Sequence, residues 1–392
     1  MMRHTSVGID IGTRQIKVVV LEFTKTNTKT VPKIIGLGLS EAKGLKNGYI
    51  INNEEAVESI RNAVKMAEKN SGIKINKCFL GVGGIGISSA TGTASIMTSR
   101  ADSQITELDI DNLTKLCEES LPDSLSQNYR VINTVPLSYK IDGKVLLAKS
   151  PIDMKGTKLE VKMLFVACLE PHINDLMEAV DGAGVYVTDV MASPIASSIS
   201  TLTKAHKTAG CALVNIGAET VSLCVFENNI PVSMEVFPIG GEDITRDIAL
   251  GFKISLEEAE AIKTGKTVGV SFSKKKLEEI ISARLSDIFE LIEGHLKKIG
   301  RNHLLPAGIF ITGGTASIHY IEELSKDLLK LPSRVALINI DGQNPVKEPL
   351  WTVAYGLAMI GGFKDVSTQL GFKPTIIKLK GTMKTWLSQF LP

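Results

Sequence analysis

Apolar and polar residues follow two periods that take turns along this chain. From Ser6 to Phe23, apolar and β-branched residues crowd into two runs on either side of Gly12-Thr13, the pattern of a hairpin. From Glu54 to Asn70 the period lengthens. Val57, Ile60, Val64 and Ala67 recur on one face at helical spacing while charged residues fill the other, which predicts an amphipathic helix. Cys78 to Val82 predicts the next strand. A second helix is predicted on Ile173, Leu176, Met177 and Val180; Gly182 and Gly184 stop it, and a strand follows over Val185 to Met191. Such alternation predicts an α/β protein.

Two regions break the rhythm. Between about Gly84 and Cys168, strand-like runs (Ile96-Met97, Tyr129 to Val135, Leu159 to Cys168) surround a helix bearing Ile110, Leu113 and Cys117, which predicts a small inserted α+β domain. From about Glu242 to Leu305 the pattern turns helical, and Leu277, Ile281, Ile288, Leu291, Ile292 and Ile299 mark a long helix ending at Gly300. A length of 392 residues exceeds what one hydrophobic core holds, so more than one lobe is expected. A net charge of +2 argues against bulk nucleic-acid binding. Cys78, Cys117, Cys168, Cys211 and Cys224 form no CxxC pair and sit among apolar neighbours, as buried thiols of a reducing compartment do. No apolar run is long enough to span a bilayer, and the first residues lack a leader pattern, so membrane contact is expected to be peripheral.

An internal repeat carries most of the functional signal. At an offset of 205 residues (215 − 10), Ile9-Asp10-Ile11-Gly12-Thr13 and the strand that follows align without a gap on Val214-Asn215-Ile216-Gly217-Ala218 and its strand. Each copy places Asp or Asn at a strand end, then a glycine in a tight turn. Such turns present backbone N–H groups to an anion, and two facing copies can clamp a polyphosphate. A third glycine turn, Thr312-Gly313-Gly314-Thr315-Ala316, ends an apolar strand and precedes a helix from about Tyr320 to Leu329. Two look-alikes fail. Gly81-Val-Gly83-Gly84-Ile85-Gly86 fits GxGxxG, but β-like residues follow where a dinucleotide site needs a helix. Gly265-Lys266-Thr267 resembles a P-loop end, but Glu260 stands where the first glycine belongs.

The two hairpins, the Thr312-Gly313-Gly314 turn and their order resemble the actin, Hsp70 and sugar-kinase superfamily. Within it the chain is similar over nearly its whole length to the FtsA family of bacterial cell-division proteins, in the stretches Gly36 to Gly48, Arg130 to Ile141, Ile239 to Ala249, Ala259 to Lys263 and Leu350 to Met359. The resemblance implies an actin-like two-lobed ATPase fold with an inserted α+β subdomain of the SHS2 type and a C-terminal amphipathic helix. Residues 1–83 and 164–196, completed by about 340–363, would form the first lobe, 84–163 the insert, and 197–339 the second lobe with a helical cap at about 243–305. A linker over 364–379 and a membrane-targeting helix over 380–392 would follow. ATP and Mg2+ are the implied ligands. Gly12, Thr13, Gln15 and Lys17 would form the first phosphate hairpin, with Asp10 behind a magnesium-bound water; Asn215, Gly217, Ala218, Glu219 and Thr220 would form the second. Glu260 and Lys263 would approach the ribose and adenine, Gly313, Gly314 and Ala316 would lie against the nucleoside, and Gly241 would belong to the same nucleotide site. From the residues alone, Glu260 and Lys263 read first as a solvated helix face.

The chain departs from the family pattern at Asn215, Ala218 and Glu219, where Asp and glycines are usual, and at Ser193, where relatives often carry an acidic or amide residue. A neutral amide keeps a hydrogen bond to water but loses the charge that orients an attacking water, so binding with weak or no hydrolysis is expected, and Asn215 and Ser193 are the candidate catalytic positions. At the end of the chain, Met383, Trp386, Leu387, Phe390 and Leu391 form one apolar face beside Lys380 and Lys384, which suits an anionic membrane surface. The implied role is a polymer on the cytoplasmic face of the inner membrane at the division septum, a peripheral protein that tethers the FtsZ ring, with FtsZ, copies of itself and other divisome proteins as partners and no nucleic acid. A PilM-like pilus-assembly adaptor or a small-molecule kinase on the same fold is the alternative. A chaperone of the Hsp70 kind would need a substrate domain that finds no match here.

Overall fold

Strand Gln15–Lys25 has apolar side chains on both faces, and the structure buries both. In the computed structural model, which describes residues 4–25, 30–122, 125, 128–146, 150–266, 272–338 and 348–369, Ile16, Val18 and Val20 pack with Ile60, Ala63 and Val64 of the helix Asn53–Ser71. Val19, Leu21 and Phe23 pack instead with Ala354, Tyr355 and Ala358 of the helix Thr352–Gln369. A sheet covered on both sides explains why the strand reads as a continuous apolar run rather than an alternating one.

That sheet has five strands, in the spatial order Tyr186–Ala192, Lys77–Val82, His4–Ile11, Gln15–Lys25, Thr30–Glu41. The first three run parallel; the last two complete an antiparallel meander. Thr30–Glu41 leaves no clear strand pattern in the sequence, because Gly36 and Gly38 interrupt its alternation. Those glycines face the helix Asn53–Ser71, where a Cβ on Gly36 would lie 2.8 Å from the Ala67 carbonyl oxygen, so the interruption is what lets the helix sit close.

The second lobe repeats the plan: Ser333–Val335, Gly308–Thr312, Cys211–Ile216, Val221–Glu227 and Ile230–Phe237 lie in the same order with the same senses. One face of it buries Val214, Ile216, Leu223 and Val225 against Leu285, Ile288, Phe289 and Ile292 of the helix Lys274–Lys298. The other carries Leu213, Cys224 and Phe226 into the same core as Ile195 and Ala196, so the helix Ser193–Thr201 lies between the two sheets. Helices Gly241–Phe252 and Leu256–Lys263 complete the cap.

Between Lys77–Val82 and the helix Glu170–Gly182 comes the insert. Its four strands lie in the order Ile87–Met97, Lys158–Leu169, Tyr129–Ile141, Lys144–Val145, all antiparallel. The helix Glu107–Glu119, started by a Thr106–Asp109 capping box, buries Ile110, Leu113 and Cys117 on one face of that sheet.

The helix Thr352–Gln369 ties the lobes together. A Cβ on Gly8 would overlap the Ala354 carbonyl, and one on Gly356 would overlap the Ala196 carbonyl, so only glycine allows these approaches. At its first turn the Thr352 hydroxyl meets Ser197 Oγ at 2.9 Å and Thr312 Oγ1 at 2.8 Å, joining first-lobe and second-lobe elements. The five cysteines are all buried. The segment from Lys380 to Leu391 expected to meet a membrane lies outside the described residues, and among the described residues no helix is long and apolar enough to cross one.

Candidate functional site

The duplicated turns are alike at the level of single hydrogen bonds. Gly12 N–H donates to Gln15 O at 3.2 Å, and Gly217 N–H donates to Thr220 O at 2.9 Å. The two hairpins face each other across a cleft of about 710 Å³ between the lobes. Asp10, Gly12, Thr13, Gln15 and Lys17 line the first-lobe wall; Asn215, Gly217, Ala218, Thr220, Gly241, Glu260, Lys263, Gly313 and Gly314 line the second; Ser193 lies at the root. Of the seventeen residues proposed from sequence for the nucleotide site, fifteen thus line one space, and Glu219 and Ala316 do not. The Glu219 carboxylate turns away and accepts the backbone N–H of Asn47, on the opposite lobe. Ala316 is buried in the short turn Gly314–Ser317.

Asp10 and Lys17 are directly paired across the first hairpin, and their side chains meet at 2.6 Å, both buried. An ammonium fixed beside a carboxylate at the mouth of a glycine turn places one cation and one anion where a phosphate and its counterion would need them. Among the described residues no cluster of three His, Cys, Asp or Glu could hold a metal alone. A single carboxylate nevertheless fits Mg2+, which keeps several waters and takes its remaining ligands from phosphates.

On the opposite wall Lys263 Nζ reaches three acceptors: Glu260 Oε2 at 2.7 Å, Gly241 O at 2.8 Å and Thr245 Oγ1 at 2.8 Å. Thr245 in turn donates to Glu260 at 2.6 Å. Burial pushes the Glu260 carboxyl up, but the bonds from Lys263 and Thr245 and the charges of Lys263 and Arg14 outweigh it, and the net direction is down. Burial pulls the Lys263 ammonium down despite the same partner. Glu242, beside them, is raised by burial and by the Glu219 charge. Gly313 holds φ +93°, a conformation that suits glycine, and its backbone N–H donates to Pro349 O at 3.3 Å. Thr315 Oγ1 donates to Gly217 O at 3.2 Å, so the third turn braces the second hairpin.

Arg14, Thr245 and Thr315 were not singled out from sequence. Thr245 was within reach, since it sits four residues after Gly241 inside the family-like stretch Ile239 to Ala249. Both look-alike motifs end at the cleft for other reasons. Gly83 and Gly84 line it as a strand end followed by the strand Ile87–Met97, and Lys266 lines it beside the cap.

Comparison with known proteins agrees with this geometry. A family described as "Cell division protein FtsA" matches residues 212–356, and one described as "SHS2 domain inserted in FTSA" matches residues 84–167. Over 392 aligned residues, spanning 94% of this chain and 86% of the relative, the chain is 30% identical to Cell division protein FtsA of Bacillus subtilis (strain 168). It belongs to the FtsA family. Solved structures similar to it include the PilM–PilN type IV pilus biogenesis complex (17% identity, TM-score 0.68, 91% of this chain and 98% of that one) and MreB 5 of Spiroplasma citri bound to AMPPNP (14% identity, TM-score 0.51, 94% and 99%). The fold of this FtsA relative is therefore actin-like, with the SHS2 subdomain inserted between strand Lys77–Val82 and helix Glu170–Gly182.

Proposed function

We propose that this FtsA-family protein binds ATP with Mg2+ in the interlobe cleft, polymerises on the cytoplasmic face of the inner membrane, and tethers the FtsZ ring there. The observation that carries the nucleotide reading is the pair of glycine hairpins with the same closing hydrogen bond, facing one cleft, each with a cation nearby: Lys17 on one wall and Lys263 on the other. Asp10 would hold the magnesium through water, and the metal would neutralise phosphate charge. The chain's own residues bind and orient. The Gly12 and Gly217 turns meet the phosphates, Glu260 and Lys263 the sugar, and Gly313 and Gly314 the nucleoside. AMPPNP in the MreB structure supports the same reading for this fold.

Neither Asn215 nor Ser193 can act as a general base at neutral pH, since an amide and an unactivated hydroxyl do not take up a proton there. Turnover is therefore slow, below roughly 1 s⁻¹. The tether rests on the pattern of Met383, Trp386, Leu387, Phe390 and Leu391 with Lys380 and Lys384. A helix of about three turns is a weak anchor alone, so many copies on one filament would supply the attachment. The test is pelleting with anionic liposomes, with and without Mg-ATP, followed by electron microscopy of the pellet. ATP-dependent pelleting with membrane-bound filaments, and recruitment of FtsZ to them, is the expected result. Absence of ATP binding by calorimetry would overturn the site, and pelleting that ignores the tail substitutions described below would overturn the anchor.

A further inference from the structure

Arg14 and Glu219 occupy the same place in the duplicated hairpin, since 219 − 14 = 205, the offset that lays Asp10 on Asn215. Each crosses to the opposite lobe. The Arg14 guanidinium reaches Glu260 Oε1 of the second lobe at 3.4 Å, and the Glu219 carboxylate accepts the Asn47 N–H of the first. The charges are opposite and the reaches reciprocal.

We propose that Arg14 and Glu219 are positioning residues that form a two-way clasp, holding the lobes closed over the ligand and passing closure on to the inserted subdomain. The second half follows from what Asn47 touches. Its carbonyl accepts the N–H of Ile85 at 3.3 Å, two residues before the first insert strand, and the next residue, Gly48 (φ +90°), packs against Gly84. Tyr49 lies with its ring 4.6 Å from that of His172, at the start of the helix that leaves the insert, and His172 in turn bonds Gly83 O at 2.9 Å. The loop that Glu219 grips is therefore packed on both connections by which the insert joins the first lobe. The ligand side of this proposal rests on the nucleotide reading; the clasp itself does not.

The two halves differ in strength. Arg14 is half exposed, and an exposed pair is worth little, whereas a carboxylate on a backbone N–H is a charge-assisted bond. Glu219→Ala is therefore expected to speed release of a fluorescent ATP analogue roughly tenfold and Arg14→Ala about threefold. Glu219→Gln, whose amide oxygen can accept the same N–H, should recover much of the difference.

The decisive measurement needs no ligand. Spin labels on Glu58→Cys and Lys275→Cys, with the native cysteines buried, report the distance between the lobes. Glu219→Ala should lengthen and broaden that distance and speed hydrogen exchange in the insert strand Ile87–Met97. An interlobe distance superimposable on the parent's in both the Glu219→Ala and Arg14→Ala proteins would overturn the clasp, and unchanged exchange in Ile87–Met97 would overturn the transmission. If the parent protein takes up no ATP analogue, the nucleotide reading fails while the distances still decide the clasp.

Discussion

Replacing Lys263 by Met tests the cleft wall most directly. The ammonium has three acceptors within 2.8 Å and is almost wholly buried, so its loss leaves the Glu260 carboxylate, itself largely buried, without its main counter-charge. Removing one partner of a buried ion pair costs about 3–5 kcal/mol. Glu260 keeps the Thr245 hydroxyl and the more distant Arg14, which argues for a cost at or just below that range, about 2–3 kcal/mol, or a melting point lower by roughly 5–10 °C for a lobe of this size. The sign with pH is fixed by the same bonds. In the parent protein the Glu260 carboxyl lies below its ordinary 4.5, so its contribution is present above that value and is lost as pH falls through the depressed one. Without Lys263, burial is opposed only by the Thr245 bond and the Arg14 charge, so the carboxyl moves up from its value in the parent. A carboxyl less depressed than the parent's loses less stability as pH falls. The deficit of Lys263→Met should therefore be largest near neutrality and shrink as the pH falls toward the ordinary carboxylate value. Calorimetric melting of both proteins at several pH values in that range measures it. A deficit under about 1 kcal/mol at neutral pH, or one that stays constant on acidification, would refute the charge account and leave only packing.

Other substitutions probe other parts of the site. Gly313→Ala puts a Cβ against the Asn215 side chain and the Ile216 carbonyl at φ +93°, and a non-glycine residue in such a region costs on the order of 1–3 kcal/mol before the overlap is counted; calorimetry should show both a lower melting point and weaker ATP binding. Gly12→Val, whose Cβ would lie 3.0 Å from Gln15 O and 3.2 Å from Lys17 Nζ, should weaken ATP binding with the lobes still folded, and normal affinity would make that hairpin merely structural. Trp386→Glu with Phe390→Glu should remove several kcal/mol of membrane affinity per subunit, about 1.5–3 for each ring, and abolish liposome pelleting without moving the melting point. Burial pushes the thiols of Cys78, Cys168 and Cys211 up to about 12, so a thiol reagent at pH 8 should label none of them until denaturant is added.

What could be read from the sequence follows from where periodicity is strong. The hairpin at Gly12, the helix on Val57, Ile60, Val64 and Ala67, and the insert helix on Ile110, Leu113 and Cys117 are all present, because each is set by local pattern and by glycine at a turn. The repeat also points to the site, since matching Asp10 to Asn215 picks out one glycine turn from each wall of the cleft. Thr30–Glu41 is not legible because the glycines that disrupt its pattern answer to a helix elsewhere in the chain. The family resemblance places Glu219 in the second hairpin, but where its carboxylate goes depends on Asn47, which lies 172 residues away in the chain. Arg14 is silent in the sequence for the same reason: a side chain that crosses between lobes leaves no periodic mark.

The packing of Thr352–Gln369 on the first hairpin also sets an order of events during synthesis. The second-lobe sheet is drawn from one continuous stretch, Cys211 to Val335, and can close as soon as that stretch has emerged. The first sheet cannot. Val19, Leu21 and Phe23 wait for Ala354, Tyr355 and Ala358, so at about 5–20 residues per second one face of the earliest-made strands stays uncovered for roughly 17–67 s. During that interval the nascent chain presents an apolar sheet face, the kind of surface chaperones hold and aggregates grow from. A chain halted before Thr352 should bind a hydrophobic dye strongly, and one extended through Gln369 should release it.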